Sequence, residues 1–324
     1  MKNWKIDVPV LCIFFARPEE FRKTFEQVRI ARPRVLLLWQ DGPRKDRPDD
    51  IENIMECRKI AENIDWNCSV YKMYNQTNYG CDPSTFYSHK WAFSIVDKCI
   101  ILEDDIVVSQ SFFPFCKELL DRYEHDERID RICGQTLFDG IEDKRYSYFF
   151  SSFGSSWGWA SWRRVADTWQ ENYDVLEDSY YQDLLNHKNN NSKVHHRMIK
   201  EAMQHKEDKI PYWEHIVGFS TVLNARLVIY PTVNMVSNIG ASQNATHATD
   251  SIYKLPKDIR YVFEIPVQDS VFPLIHPTYM IEDYHYIEKV KNLWQPSFPT
   301  KVARKIEHTW LKLKAGDVKG KEME

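Results

Sequence analysis

Glycine is scarce in this chain, ten residues in 324, which excludes a fibrous or low-complexity polymer. The first apolar segment, Val8 to Phe15, runs into Ala16-Arg17-Pro18, so the glycine-rich phosphate loop that a sugar nucleotidyltransferase needs after its first strand is absent. Neither sign of charge dominates. With 43 Lys and Arg against 47 Asp and Glu, the formal charge of -4 leaves no broad basic footprint for nucleic acid. No CxxC pair occurs among the seven cysteines (12, 57, 68, 81, 99, 116, 133), whose odd number argues for reduced thiols and a cytoplasmic setting. Long hydrophobic runs are missing too. Val8 to Ala16 is short and is followed by Arg17-Pro18-Glu19-Glu20, where a cleavage site or stop-transfer flank would stand; no later stretch is long enough to span a bilayer. Without secretion, triplets such as Asn75-Gln76-Thr77 and Asn244-Ala245-Thr246 carry no meaning as glycosylation signals.

Apolar residues make up 43% of the chain, enough for a large core. The 11 Trp and 17 Tyr combine a flat apolar face with a polar edge, which suits carbohydrate rings as well as cores. Periodicity predicts strands at Val8–Phe15, Val35–Trp39 and Ser69–Tyr74, with helices from Pro18 to about Ile30, from Asp49 to about Ile64, and from the Asn78–Pro83 loop to about Asp97. Proline and two acids open the first helix in the expected way. Such alternation predicts a parallel sheet with right-handed crossovers and ligands bound beyond the carboxyl ends of its strands. Arg17, Asp41 and Asp105 would then converge on one rim.

The most informative stretch is Ile100-Ile101-Leu102-Glu103-Asp104-Asp105-Ile106-Val107-Val108, three carboxylates within a β-branched apolar run. A strand buried on both faces has no ordinary use for acids, and each unpaired buried carboxylate costs several kcal/mol. They should therefore sit where the strand leaves the sheet and something cationic meets them. No basic residue is adjacent in sequence, so a divalent cation, Mn²⁺ or Mg²⁺, completed by phosphate oxygens fits the pattern. The plainer alternative is a solvated turn capping the helix that begins at Ser111.

Beyond a strand at 131–134 the alternation weakens. Trp157-Gly158-Trp159-Ala160-Ser161-Trp162 either wedges a helix against the sheet or walls a sugar ring. His187 to Asp208, polar with three consecutive asparagines, is expected to be an exposed insert or mobile segment. Trp213-Glu214-His215 places an acid among aromatics, where burial would raise its pKa towards that of a useful base; a structural carboxylate is the alternative. Leu227–Pro231 reads as a further strand. His247 is either a metal or phosphate ligand or an ordinary loop histidine. The tail from Lys301 is basic, with Val302, Ile306, Trp310 and Leu313 at helical spacing, so it either touches an anionic membrane surface or forms a docked or solvated helix.

Taken in order, Arg17, Gln40-Asp41, Lys90-Trp91-Ala92-Phe93, Glu103-Asp104-Asp105, Phe112-Phe113, Trp157-Gly158-Trp159, Trp213-Glu214 and Asn238-Ile239-Gly240 resemble the GT-A glycosyltransferases, specifically the N-acetylglucosaminyltransferase I family and its bacterial relatives. The resemblance covers roughly residues 8 to 250. It implies a Rossmann-like α/β fold, with a mostly parallel central sheet flanked by helices and a mixed acceptor-side region. Residues 1–135 would form the nucleotide-sugar-binding half, 136–265 the acceptor-side half of the same domain, and 266–324 a C-terminal extension. It further implies an inverting, metal-dependent transfer from a UDP-sugar to a hydroxyl of a glycan or glycolipid acceptor, in surface polysaccharide or lipopolysaccharide synthesis. Asp105 would ligate the metal. Arg17, Asp41, Glu103 and Asp104 would hold the nucleotide, with Trp157 beside the sugar, and Glu214 would be the base. The family pattern has two adjacent aspartates where this chain has Glu214-His215. A non-catalytic carbohydrate-binding protein would explain the tryptophans but not the acidic triplet.

Overall fold

Side chains that alternate between two apolar environments dictate a sheet covered on both sides. In β1 (Val10–Phe14), Val10, Cys12 and Phe14 enter one buried cluster while Leu11 and Ile13 enter another. The structure, a computed structural model, describes residues 6–138, 141, 144–189, 193–240 and 255–321. After β1 come α1 (Pro18–Ala31), β2 (Val35–Gln40), α2 (Asp49–Glu62), β3 (Ser69–Tyr74), α3 (Cys81–Ile95) and β4 (Lys98–Glu103). Then follow β5 (Ile106–Val108), α4 (Phe112–Arg122), β6 (Ile129–Cys133), β7 (Tyr148–Ser151), β8 (Trp159–Trp162), α5 (Arg163–Ala166), α6 (Ser179–Asn189), α7 (Lys193–Asp208), α8 (Trp213–Leu223), β9 (Leu227–Pro231) and β10 (Val236–Asn238). The described chain ends with α9 (Lys257–Glu264), α10 (Tyr284–Trp294) and α11 (Phe298–Lys321).

Eight strands form one mostly parallel mixed sheet in the order β3-β2-β1-β4-β8-β6-β9-β7, flanked by helices. This is the Rossmann-like α/β architecture expected from the sequence. From β1 the chain winds outward to β2 and β3, then returns to place β4 on the other side of β1. The order therefore reverses between β1 and β4, and in such sheets ligands bind beyond the carboxyl ends of the strands at that point. One face is packed by Phe21, Phe112, Phe113 and Phe115, all fully buried, each contributing about 2–3 kcal/mol relative to exposure. The other face is packed by Phe86, Trp159, Trp213 and Phe219.

Three local expectations change. The acidic run is not one strand: β4 ends at Glu103, Asp104-Asp105 form a turn, and β5 pairs with β10 in a separate two-stranded sheet. Glu103 is the last residue paired in the central ladder, and the chain leaves it at Asp104-Asp105, where two more carboxylates would otherwise have to be buried. The tryptophan segment is no helix; Trp159–Trp162 is β8, antiparallel to β4 and β6 in the middle of the sheet. Its pleat sends Trp159 to one face and Trp162 to the other, where Nε1 of Trp162 donates to the Leu120 carbonyl at 3.1 Å. Finally, 187–208 is largely helical, and α7 buries Ile199 and Ala202 against the Trp213 side of the core.

Candidate functional site

Register brings the sequence-distant residues to one edge. Ile13 pairs with Glu103 and Phe14 with Gln40, so the residues just beyond these strands share a rim at the carboxyl ends of β1, β2 and β4. The Asp104-Asp105 turn is pinned there by local bonds. Thr24 Oγ1 donates to the Asp104 carbonyl at 2.9 Å, and the Phe15 amide donates to Asp104 Oδ2 at 3.2 Å. Arg17 supplies the charge: its Nη2 pairs with Asp104 Oδ1, its Nε reaches Oδ2 at 3.4 Å, and its Nη1 lies 3.0 Å from Asp105 Oδ2. The cation answering the acids is thus an arginine 87 residues away from Asp104, which adjacency in sequence could not show.

One guanidinium does not balance three acids. Burial, then the neighbouring charge of Asp104, push Asp105 up to about 6 despite Arg17. Burial also raises Glu103 well above the carboxylate range, with Asp105, Glu214 and Asp104 adding to the shift. Gly240, just after β10, packs against this cluster so closely that a Cβ there would sit 1.9 Å from Asp105 Oδ2 and 2.9 Å from Arg17 Nη1. A larger residue there would have to displace the Asp105 carboxylate and the Arg17 guanidinium.

Asp41 has a different setting. Its buried carboxylate accepts from the amides of Gly42 at 2.9 Å, Tyr79 at 3.0 Å and Gly80 at 3.1 Å, and from Asn78 Nδ2 at 3.0 Å. Burial nonetheless raises its pKa. Asp41 therefore clasps the 78–80 loop to the end of β2.

Glu214 stands in the first turn of α8, at the lip of a cavity of about 470 Å³. Ser156 Oγ donates to its Oε1. The side chain is exposed, not buried as its aromatic neighbours in sequence suggested. Its charge adds to the upward shift of Glu103. Trp157 lines the cavity with Phe263, ring centroids 4.9 Å apart, and Trp294. Trp159, stacked on Trp213 with centroids 6.3 Å apart, is buried and backs the same cavity from the core. His215 is held neutral, its pKa lowered to about 4 chiefly by burial. Its Nε2 donates to the Met198 carbonyl at 2.9 Å, leaving Nδ1 to accept from the Tyr173 hydroxyl at 2.8 Å. It is therefore a packing residue beside Glu214.

Among the described residues no cluster of three or more His, Cys, Asp or Glu could hold a metal alone. His247 lies outside the described residues. What the rim does offer is oxygen-only chemistry and more negative charge than Arg17 offsets. That suits a hard divalent cation held by one carboxylate, waters and a ligand's phosphates, and not a cation caged by protein. Asp105, which shares Arg17 with Asp104, is the carboxylate that could hold such an ion.

No family model matches the chain, and no curated protein matches it. Among solved structures it is similar to the crystal structure of S. aureus TarS 1-349, with a TM-score of 0.31 and 9% identity. The alignment covers 49% of this chain and 48% of that one, about half of either length. A likeness at that level bears on neither family nor function.

Arg131 went unnoticed in the sequence as a site residue. It reaches the cavity buried, with Nη1 at 2.7 Å from the buried Asp130. A side chain added at Gly154 would meet its Nη2 at 1.8 Å. The signal was an adjacent acid–base pair inside an apolar strand, Ile129-Asp130-Arg131-Ile132.

Proposed function

We propose that this protein is a glycosyltransferase, moving a sugar from a nucleotide-sugar donor to a hydroxyl of a glycan or glycolipid acceptor. The observation that supports the reading best is the adjacency of two half-sites. A charged rim of Arg17, Asp104 and Asp105 lies at the strand-order reversal, and the aromatic-walled cavity that Glu214 lines is linked to it through β8, where Trp159, a cavity-lining residue, pairs with Ile101 two residues before Glu103. With a divalent cation bound, the rim would suit a diphosphate, and the cavity suits a ring with apolar faces and polar edges.

The reaction asked of these groups is a displacement. The acceptor oxygen bonds to the anomeric carbon, that carbon's bond to the phosphate oxygen breaks, and the diphosphate leaves with the electron pair. Glu214 takes the acceptor's proton, a step worth about 10²–10⁴ in rate. Arg17, already extended across the rim, meets the charge that builds on the leaving diphosphate. A divalent ion on Asp105 would add Lewis-acid stabilisation of that diphosphate. Attack opposite the leaving group inverts the anomeric centre, as in inverting glycosidases. UDP as the carrier, Mn²⁺ or Mg²⁺ as the ion, and a place in surface polysaccharide or lipopolysaccharide synthesis rest on the resemblance to the N-acetylglucosaminyltransferase I family.

Calorimetry with UDP in the presence and absence of Mn²⁺ tests the donor side, and hydrolysis of a panel of nucleotide sugars identifies the sugar. A carbohydrate-binding protein, the reading that Trp157, Phe263 and Trp294 alone would favour, ignores the nucleotide. Glu214→Gln should retain donor binding and lose turnover; unchanged kcat removes Glu214 as the base.

A further inference from the structure

We infer that α11 seats this protein on an anionic lipid surface. An amphipathic helix on a globular protein normally turns its apolar stripe to the core and its charges to water. In α11 the arrangement is reversed. The face towards the protein is held by polar bonds: Arg304 Nε donates to Asp258 Oδ2 at 2.9 Å, Arg304 Nη2 to the Leu293 carbonyl at 2.8 Å, and Glu307 Oε1 accepts from the Lys257 amide at 3.1 Å. On the opposite side Phe298, Val302 and Ile306, four residues apart, are 79%, 42% and 65% exposed. Trp310, 56% exposed, continues the spacing.

Charge selects the partner. Exposed Lys301 and Lys305 flank the stripe. The helix carries seven Lys and Arg against two acids, in a chain whose formal charge is -4. A basic helix with an outward apolar face matches a bilayer carrying anionic headgroups: the stripe enters the acyl boundary while the lysines stay at the phosphates. The surroundings agree, since eleven of the 22 exposed large apolar side chains among the described residues fall after residue 266. No helix among the described residues is long and apolar enough to cross the membrane, so contact would be peripheral.

The full chain should sediment with vesicles of mixed phosphatidylcholine and phosphatidylglycerol and far less with phosphatidylcholine alone. Binding should weaken as salt is raised, because the lysine contribution is screened. Each of Lys301→Glu and Lys305→Glu should lower partitioning about fivefold or more, the effect of about 1 kcal/mol per basic residue near such a surface. The double variant Val302→Glu with Ile306→Glu should stay in the supernatant, and circular dichroism should be unchanged because neither side chain is buried. The proposal is overturned by a wild-type chain that remains in the supernatant with the anionic vesicles, or by a double variant that binds them as well as wild type. It is equally overturned by light scattering that shows a dimer dispersed by the double substitution with no vesicle binding, which would make the stripe a contact between two copies.

Discussion

Asp105→Asn should stabilise the protein at neutral pH, although it removes one partner of an ion pair. Arg17 Nη1 lies 3.0 Å from Asp105 Oδ2, yet Arg17 is already committed to Asp104, and burial with the Asp104 charge lifts Asp105 from an ordinary 3.8 to about 6. A carboxyl raised in the folded state favours folding only while protonated. Its advantage is complete below the unfolded value near 3.8 and is lost as pH climbs through about 6. Two units correspond to about 3 kcal/mol of cost at about pH 8, of which the isosteric amide should recover about 1–3 kcal/mol. Urea unfolding followed by tryptophan fluorescence, at about pH 8 and about pH 4, gives the comparison as variant minus wild type, so that other titrating groups cancel. The expected result is a gain at the higher pH that vanishes at the lower. A variant less stable than wild type at the higher pH would falsify the reasoning: the arginine pair would then outweigh burial, and the rim would have no charge left over for a cation.

Gly240→Ala should impair nucleotide binding, because its methyl would overlap Asp105 Oδ2 at 1.9 Å and crowd Arg17 Nη1; calorimetric UDP affinity equal to wild type would contradict that geometry. Asp41→Ala strands the amides of Gly42, Tyr79 and Gly80 and the Asn78 side chain, so a loss of about 2–4 kcal/mol in urea unfolding is expected; near-neutrality would mean the loop is not clasped there. His215 is depressed from 6.5 to about 4 by burial, so its contribution is whole above 6.5 and drains away towards 4 as the unfolded chain takes up the proton. His215→Gln, which can replace both hydrogen bonds, should remove up to about 2 kcal/mol of the stability lost by about pH 5, read as variant against wild type.

How much of this was legible in the sequence depends on how far away each residue's partner lies. The early strands and helices could be read because their signals are local. Val10 to Phe14 alternate between two cores within five residues, and Pro18-Glu19-Glu20 announce a helix start. The rim was legible one step further out, since parallel pairing of β1, β2 and β4 forces Arg17, Asp41 and Asp105 to the same edge. The break at Asp104 was not, because β5 exists only by pairing with β10, more than a hundred residues later. Trp159–Trp162 could be read as helix or strand on its own; its place between β4 and β6 decides it, and those neighbours are set by topology.

The same distance explains the two electrostatic corrections. Sequence neighbours said that Glu103, Asp104 and Asp105 had no cation, and aromatic neighbours said that Glu214 was buried. In space Arg17 reaches the first group from the adjacent strand, and the start of α8 turns Glu214 outward while Trp213 takes the interior position. These corrections do not cancel the need that made the acids conspicuous. Arg17 satisfies Asp104 fully and Asp105 in part, and Glu103 is left facing like charges from Asp105, Glu214 and Asp104. A group in that position is stable when protonated or when a further positive charge arrives. In the proposed function the donor and its cation bring that charge, which would make the incompletely neutralised rim a binding edge and not only a structural salt bridge.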